Sequence, residues 1–319
     1  MDPMLATPAP DRAAGRDDLG PAFPRGEGWL YEVKWDGVRV LGDTRGPVPR
    51  LLSRNGLEVT TAYPELAGLA GLPGVLLDGE VVALDAGVPS FAALAERMHV
   101  RDARRAAQLA AARPVTYLVF DLLAAGDEDL TARPLVERRA ALADLPLPEH
   151  VELSPAYPDV DELWAVTRAH GLEGVVAKRR DSPYRAGRRS GDWVKAAHRH
   201  GRTALVGGWR EESTGSGRLG ALLLGAPDAT GALRFLGRAG SGLTGAVAAD
   251  LRAALEPLAR ATSPFDEPVP AVDARGAHWC EPVLVVELAY LTRMPTGRLR
   301  QPVVRGRRTD AAADPWERT

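Results

Sequence analysis

The sequence predicts an α+β domain followed by a small Greek-key β-barrel of the OB type. The chain has 319 residues, room for two domains at about 100–200 residues each. Up to residue 200, strand and helix patterns mix without the regular strand–helix–strand period of a doubly wound sheet. After His200-Gly201, closely spaced strand signals surround a single helical pattern, as in a small closed barrel. The expected units are residues 1–200 and 201–319.

Each element has its own signal. Residues 1–25 are Pro/Ala-rich and read as a flexible lead-in. Residues 30–41 and 50–53 alternate as strands, and Asn55-Gly56 marks a turn. Residues 64–72 read as a helix. The segment GVLLDGEVVAL at 74–84 reads as a strand pair, or one strand bent at Asp78-Gly79. Residues 91–113, rich in Ala, Leu and Arg, predict one or two helices. VTYLVFDLL at 115–123 predicts a buried strand, 136–145 a short helix and 151–153 an extended stretch. Asp161 is read as the cap of a helix through His170 that Gly171 stops. Strands at 174–178 and 193–196 flank an Arg/Gly loop. Beyond the boundary, strands are expected at 204–209, 219–224, 233–237, 283–291 and 302–304, with a helix at 243–258.

Composition narrows the class. Cys280 is the single cysteine, which rules out an intramolecular disulfide and points to a reducing cytosol. Residues 1–20 have neither the basic start nor the apolar block of a secretory signal. No apolar run approaches the ~20 residues of a membrane span. The net charge is −2, but its distribution is uneven. Residues 178–202 and 293–308 are two arginine-dense blocks, suited to a phosphate backbone or to a solvated face.

Of the 40 basic residues only Lys34, Lys178 and Lys195 are lysine. Arginine keeps its proton and cannot act as an amine nucleophile, whereas lysine can. All three lysines lie in strand-like segments. Lys34 stands in YEVKWDGVR, where a strand meets a turn. Gly37 permits close backbone approach, and Arg39 is placed to hold a phosphate beside the amine. The chain contains no phosphate-loop G-x-x-x-x-G-K-[ST] pattern, so Lys34 would meet a phosphate as a nucleophile or as a lone charge. Asp78-Gly79-Glu80 and Glu173-Gly174 each read as a carboxylate at a strand end. Carboxylates in a phosphate site ordinarily hold Mg²⁺; the alternative is an exposed turn acid.

The ordered set Lys34-x-Asp36-Gly37-x-Arg39, Ser53-Arg54-Asn55-Gly56, Asp78-Gly79-Glu80, Phe120-Asp121, Glu173-Gly174 with Lys178, and Trp193-x-Lys195 resembles the covalent nucleotidyltransferase superfamily. It is most similar to the bacterial ATP-dependent DNA ligases of end joining and repair. Gly207-Gly208-Trp209, the run from Gly220 to Gly225, the run from Gly237 to Gly242, and Arg298-Leu299-Arg300-Gln301-Pro302 extend the resemblance into the OB domain of that group. The resemblance implies ATP with Mg²⁺ (or Mn²⁺), and nicked or broken double-stranded DNA as substrate. It implies a lysyl-AMP on Lys34, transfer of AMP to a 5′-phosphate, and sealing by a 3′-hydroxyl. It assigns adenine to Glu32, stacking to Phe120, phosphate to Arg39 and Arg54, and the α-phosphate to Lys195. Glu80 would hold ribose or metal, Glu173 metal, and Lys178 would line the nucleotide site. A Ku-type end-binding partner, a monomeric state, and a cytoplasmic, nucleoid-associated location follow as expectations.

Two positions depart from that pattern. Ala197 stands where a second lysine is usual after Trp193-x-Lys195. Ala311 stands where the C-terminal Arg-x-Asp-Lys pattern has its lysine. Arg199 or Arg308 is expected to replace part of the missing charge. The helical DNA-binding domain of larger ligases is not read in the chain, which is expected to act as a two-domain core. The rival readings are an RNA ligase, a GTP-dependent capping nucleotidyltransferase, and a ligase homologue that binds DNA ends without catalysis.

Overall fold

The computed structural model describes residues 1–10, 21–85, 87–212 and 217–317. The chain divides into two compact units, Met1–His198 and Arg199–Thr319.

In chain order the first unit holds strands β1 (Leu5–Pro8), β2 (Trp29–Lys34), β3 (Val38–Asp43), β4 (Arg50–Ser53), β5 (Val75–Asp85), β6 (Val88–Pro89), β7 (Val115–Ala125), β8 (Glu128–Asp129), β9 (Val151–Leu153), β10 (Ala156–Tyr157), β11 (Gly174–Arg179) and β12 (Arg189–Ala197). Its α-helices are α1 (Phe91–Leu94), α2 (Ala103–Ala112), α3 (Leu135–Ala143) and α4 (Val160–Ala169). One sheet runs β1-β12-β11-β2-β10; the other runs β4-β3-β5-β7-β8, with β6 on β5 and β9 on β7.

Strand alternation gives the first sheet two chemically different faces. Tyr31, Val33, Val175 and Ala177 pack with Val160 and Leu163 of α4. Glu32, Lys34, Val176 and Lys178 therefore point the other way. On that side Met4, Tyr184 and Trp193 pack with Leu41, Leu76, Phe120 and Leu123 of the second sheet. The main core lies on the second sheet, where Val40, Leu77, Val81, Tyr117, Val119 and Leu122 pack with Leu66, Leu69 and Leu142.

Five sequence expectations change. Residues 30–41, expected as one run of strand, are β2 and β3, broken by the turn at 35–37 and lying in different sheets. Residues 5–8 of the expected lead-in form β1, parallel to β12, with Pro8 opposite Lys195. Met4 is fully buried, so an apolar anchor and a ladder fix that stretch; residues 11–20 of the lead-in lie outside the described residues. The helix expected at 64–72 is a 3-10 run, Pro64–Gly71. Leu66 and Leu69 are both buried there, at the three-residue spacing that suits this tighter helix. The cap of α4 is Asp159, whose side chain accepts from the amides of Asp161 and Glu162. Asp161 instead sits in the first turn and pairs with Arg25 at 2.6 Å. Finally, Asp78-Gly79-Glu80 is no strand end but the middle of β5. A Cβ at residue 79 would lie 2.6 Å from the Leu118 carbonyl oxygen, so this glycine serves close strand contact rather than a turn.

The second unit contains β13 (His200–Glu211), β14 (Leu219–Pro227), β15 (Leu233–Ala239), α5 (Gly245–Leu255), β16 (Ala259–Arg260), α6 (Ala271–Ala274), β17 (His278–Cys280), β18 (Val285–Tyr290), β19 (Thr292–Arg293), β20 (Leu299–Arg300) and β21 (Val303–Arg308). The long β13 serves several neighbours. It pairs with β14 on one edge, and with β18 and β17 on the other. β21 continues from β18, and a parallel bridge from Ser241 to Val303 links it back beyond β15. The sheet thus curls into an OB-type barrel around Val206, Leu222, Leu224, Leu236, Val286, Leu288 and Val304, with Leu251 and Leu255 of α5 added to the core.

Candidate active site

The two sheets of the first unit enclose a cavity of about 590 Å³, within the range of small-molecule sites. Its lining includes Glu32, Lys34, Arg39, Arg54, Glu80, Phe120, Lys178, Trp193 and Lys195. The candidate residues of the first unit are scattered from residue 32 to residue 195, and sheet register brings them together; Arg308 lies in the second unit. Lys34 lies opposite Gly174, which in turn lies opposite Ala197. Glu32 lies opposite Val176, which lies opposite Lys195. Lys178 lies opposite Trp193. All three lysines therefore project from one face of three adjacent strands.

Lys34 ends β2, and its Nζ is ion-paired with Glu173 at the start of β11. The turn after it needs Gly37, because a Cβ there would lie 2.2 Å from the Val81 carbonyl oxygen. That close approach brings Lys34 to the middle of β5, where Glu80 stands opposite Arg39. Desolvation pushes the Glu80 carboxyl up to about 8, against the pull of Lys34 and Arg39. Glu173 and Asp78 add to the rise. Among the described residues no three His, Cys, Asp or Glu side chains gather as a ready-made metal cage. A cation here would rest on Glu80 and Glu173 together with substrate phosphates, as Mg²⁺ commonly does.

The opposite end of the cavity is aromatic. Between β5 and β7 the register passes from Asp78–Asp121 to Gly79–Val119, so Phe120 is the extra residue of a bulge. A bulge re-aims its side chain, and the Phe120 ring meets Trp193 edge-on at 6.0 Å. The Lys178 ammonium lies 4.0 Å from the Phe120 centroid and 4.4 Å from that of Trp193. It also donates to Glu32 Oε2 at 2.8 Å. Burial holds the Lys178 amine below its ordinary value, with Glu32 opposing that shift. The buried Nε1 of Trp193 has no acceptor among the described residues.

Cations crowd around Lys195. Burial, and then Lys34, Arg189 and Arg54, hold the Lys195 amine below its ordinary value. A polyanion would relieve that crowding. Arg39, expected to bind phosphate, is committed to the protein. Its Nε and Nη2 fork Asp78 at 2.9 and 2.6 Å, and its Nη1 donates to the Met4 carbonyl at 2.7 Å. Asp78 also accepts from Tyr184 Oη at 2.6 Å. Arg308 stands in β21 of the second unit, held by Asp310 and Glu287.

Five contributors carried no site assignment from the sequence. Trp193 packs with Phe120 and Tyr184 and also forms cavity wall. The N-terminal Leu5 and Ala6 also line the cavity, and Arg189 donates to the Ala6 carbonyl. Arg139 of α3 reaches Glu32 Oε1 at 2.7 Å. Only Trp193 carried a usable signal, an aromatic two residues before a pocket lysine.

Two stretches of the chain match known families. Residues 3–196 match the ATP dependent DNA ligase domain, and residues 215–311 match the ATP dependent DNA ligase C terminal region. The multifunctional non-homologous end joining DNA repair protein LigD of Mycobacterium tuberculosis is 41% identical over 288 residues, covering 88% of this chain and 36% of that protein. A probable DNA ligase of Anaeromyxobacter dehalogenans is 38% identical over 311 residues, covering 91% of this chain and 55% of its own length. The solved mycobacterial DNA ligase D complexed with ATP and MES superposes with a TM-score of 0.54 at 38% identity, covering 97% of this chain and 95% of that one. The chain spans only 36% of the length of the LigD relatives first matched.

Proposed function

Because the chain belongs to the ATP-dependent DNA ligase family, we propose that it seals nicks in duplex DNA with ATP, carrying AMP on Lys34. The observation that carries this reading is the convergence of all three lysines on one sheet face, in a cavity with an aromatic end and a cationic end. The family match favours this over RNA joining, GTP-dependent capping and non-catalytic end binding.

The cavity fits ATP in kind as well as size. Phe120 supplies a stacking face, Glu32 an acceptor for the 6-amino group, and Lys195, Arg54 and Arg189 charge for the triphosphate. Lys34 attacks the α-phosphorus as the neutral amine. The P–N bond forms as the bond to the pyrophosphate oxygen breaks, and the amine proton is released. Glu173, in contact with Nζ, aims the amine. The AMP is then displaced from Lys34 by the 5′-phosphate at a nick, and from that phosphate by the 3′-hydroxyl. These steps need positioning and charge stabilisation above all. A divalent cation, Mg²⁺ or Mn²⁺, held by Glu80 and Glu173, would neutralise phosphate charge. Arg39 serves here by fixing Asp78 and the N-terminal strand. Arg308 belongs to the second unit's contribution to pyrophosphate release. The exposed Arg188 would meet the DNA backbone. Monomeric action in the cytoplasm, on the nucleoid, with a Ku-type partner at broken ends, completes the proposal.

A nicked duplex labelled at its 5′-phosphate tests it. With ATP and Mg²⁺ the labelled strand should lengthen to the sealed product through a transient 5′-adenylated strand. A labelled strand that is neither adenylated nor sealed would refute the proposal.

A further inference from the structure

Helix α3 carries two adjacent arginines with different tasks. Arg138 is fully buried against Asp121 at 2.7 Å and secures the helix. Arg139 lies behind the cavity wall, outside the lining, and reaches Glu32, which lines it. Its Nη1 donates to Glu32 Oε1 at 2.7 Å and to the Phe120 carbonyl at 3.2 Å, and its Nη2 donates to the Ser154 carbonyl at 2.7 Å. One planar guanidinium thus joins the carboxylate of β2 to the backbone of the bulge that aims the Phe120 ring. Lys178 ties the same two residues a second time, through Glu32 Oε2 and the face of the ring.

We propose that Arg139 is a positioning residue for purine selectivity, locking Glu32 and Phe120 in one register so that the cavity accepts a 6-amino purine and rejects a 6-oxo purine. The inference rests on the reading of Glu32 and Phe120 as the base-binding pair. A carboxylate with cations on both oxygens offers only lone pairs to a base. Facing position 6, it receives a hydrogen bond from adenine and meets the lone pairs of the guanine oxygen. That alone does not exclude guanine, whose N1–H and 2-amino group lie alongside and suit a carboxylate that can slide. Selectivity therefore depends on removing the slide. Fixing the stacked ring and the carboxylate with one rigid fork does so, since Phe120 sets where the base lies and Glu32 where its edge is read. A lysine at position 139 would keep the charge but could not span the three acceptors together.

Titration calorimetry of the whole chain with the α,β-methylene analogues of ATP and GTP reads this directly. These analogues bind without transferring a nucleotidyl group. A chain that prefers the adenine analogue yet seals nothing would sink the ligase reading and leave this one standing. The wild type should prefer the adenine analogue. Arg139→Lys should shrink that preference by about tenfold and Arg139→Ala by more, through loss of adenine affinity with guanine affinity nearly kept. Should Arg139→Ala fail to fold, Arg139→Lys, which keeps charge and bulk, decides alone. An Arg139→Lys preference equal to the wild type's overturns the proposal. So does equal weakening of both analogues, or a wild type that binds them alike.

Discussion

Two lysine–glutamate pairs stand on the same sheet face, and they are built for opposite purposes. Lys178 and Glu32 have side chains 3% and 2% exposed. Aromatic rings cover the ammonium, and Arg139 takes the second carboxylate oxygen. Lys34 and Glu173 are 21% and 8% exposed, at a strand end beside a glycine turn. The first pair is locked, and its lysine cannot approach a phosphorus without breaking a buried network. The second leaves an amine on the cavity surface with its partner to one side. Residue identity alone does not make a nucleophile; access and the number of partners do.

The largest way to break the comparison is to remove one acid from each pair. Glu32→Ala strands two buried cations and should cost about 3–5 kcal/mol of unfolding free energy. Glu173→Ala leaves Lys34 in reach of water and should cost about 1 kcal/mol. Urea unfolding of both variants checks this, and equal costs would mean the pairs are equivalent.

A smaller effect sharpens the role of the Lys34 row. Ala197 shares that row through Gly174, so a lysine there should project toward the same phosphates. Ala197→Lys with Ala311→Lys should speed self-adenylation by about 10- to 100-fold, the usual worth of a charged contact to a transferring group. Sealing of a pre-adenylated nick should change much less. Single-turnover rates of the two steps separate them, and an unchanged adenylation rate would show that other contacts already serve.

The smallest effect is a pH dependence. Glu80 has a folded-state value of about 8, above its ordinary 4.5. The folded chain therefore keeps a proton that the unfolded chain releases. This stabilising contribution is complete below 4.5 and is lost as pH rises through about 8. Glu80→Gln removes the loss, so its stability relative to wild type should rise between about pH 5 and about pH 9. Urea midpoints at the two pH values report it; a constant difference would place the Glu80 titration elsewhere.

Much of the site was legible because its residues lie on patterned strands. The Lys34 turn, the strand of Phe120 and the paired strands of Lys178 and Lys195 each announced themselves by alternation and glycine, and register did the rest. What escaped depends on distant contacts. Arg139 sits in an amphipathic run whose arginines look solvent-facing, and its partner Glu32 is 107 residues away. Leu5–Pro8 looked like a linker because its partner strand begins only at Arg189. Asp78-Gly79 looked like a turn because glycine marks turns more often than it marks tight strand contacts. Phe120 could be read as core until the bulge beside it was seen to aim its ring into the cavity.

The central claim is that Lys34, and neither of the other lysines, carries the nucleotide. Peptide mapping by mass spectrometry of the wild-type chain after reaction with ATP and Mg²⁺ tests this, with Lys34→Arg as the blank. AMP is expected on the peptide containing Lys34 alone, and none in the blank. AMP on a peptide containing Lys178 or Lys195, or AMP retained by Lys34→Arg, would contradict it.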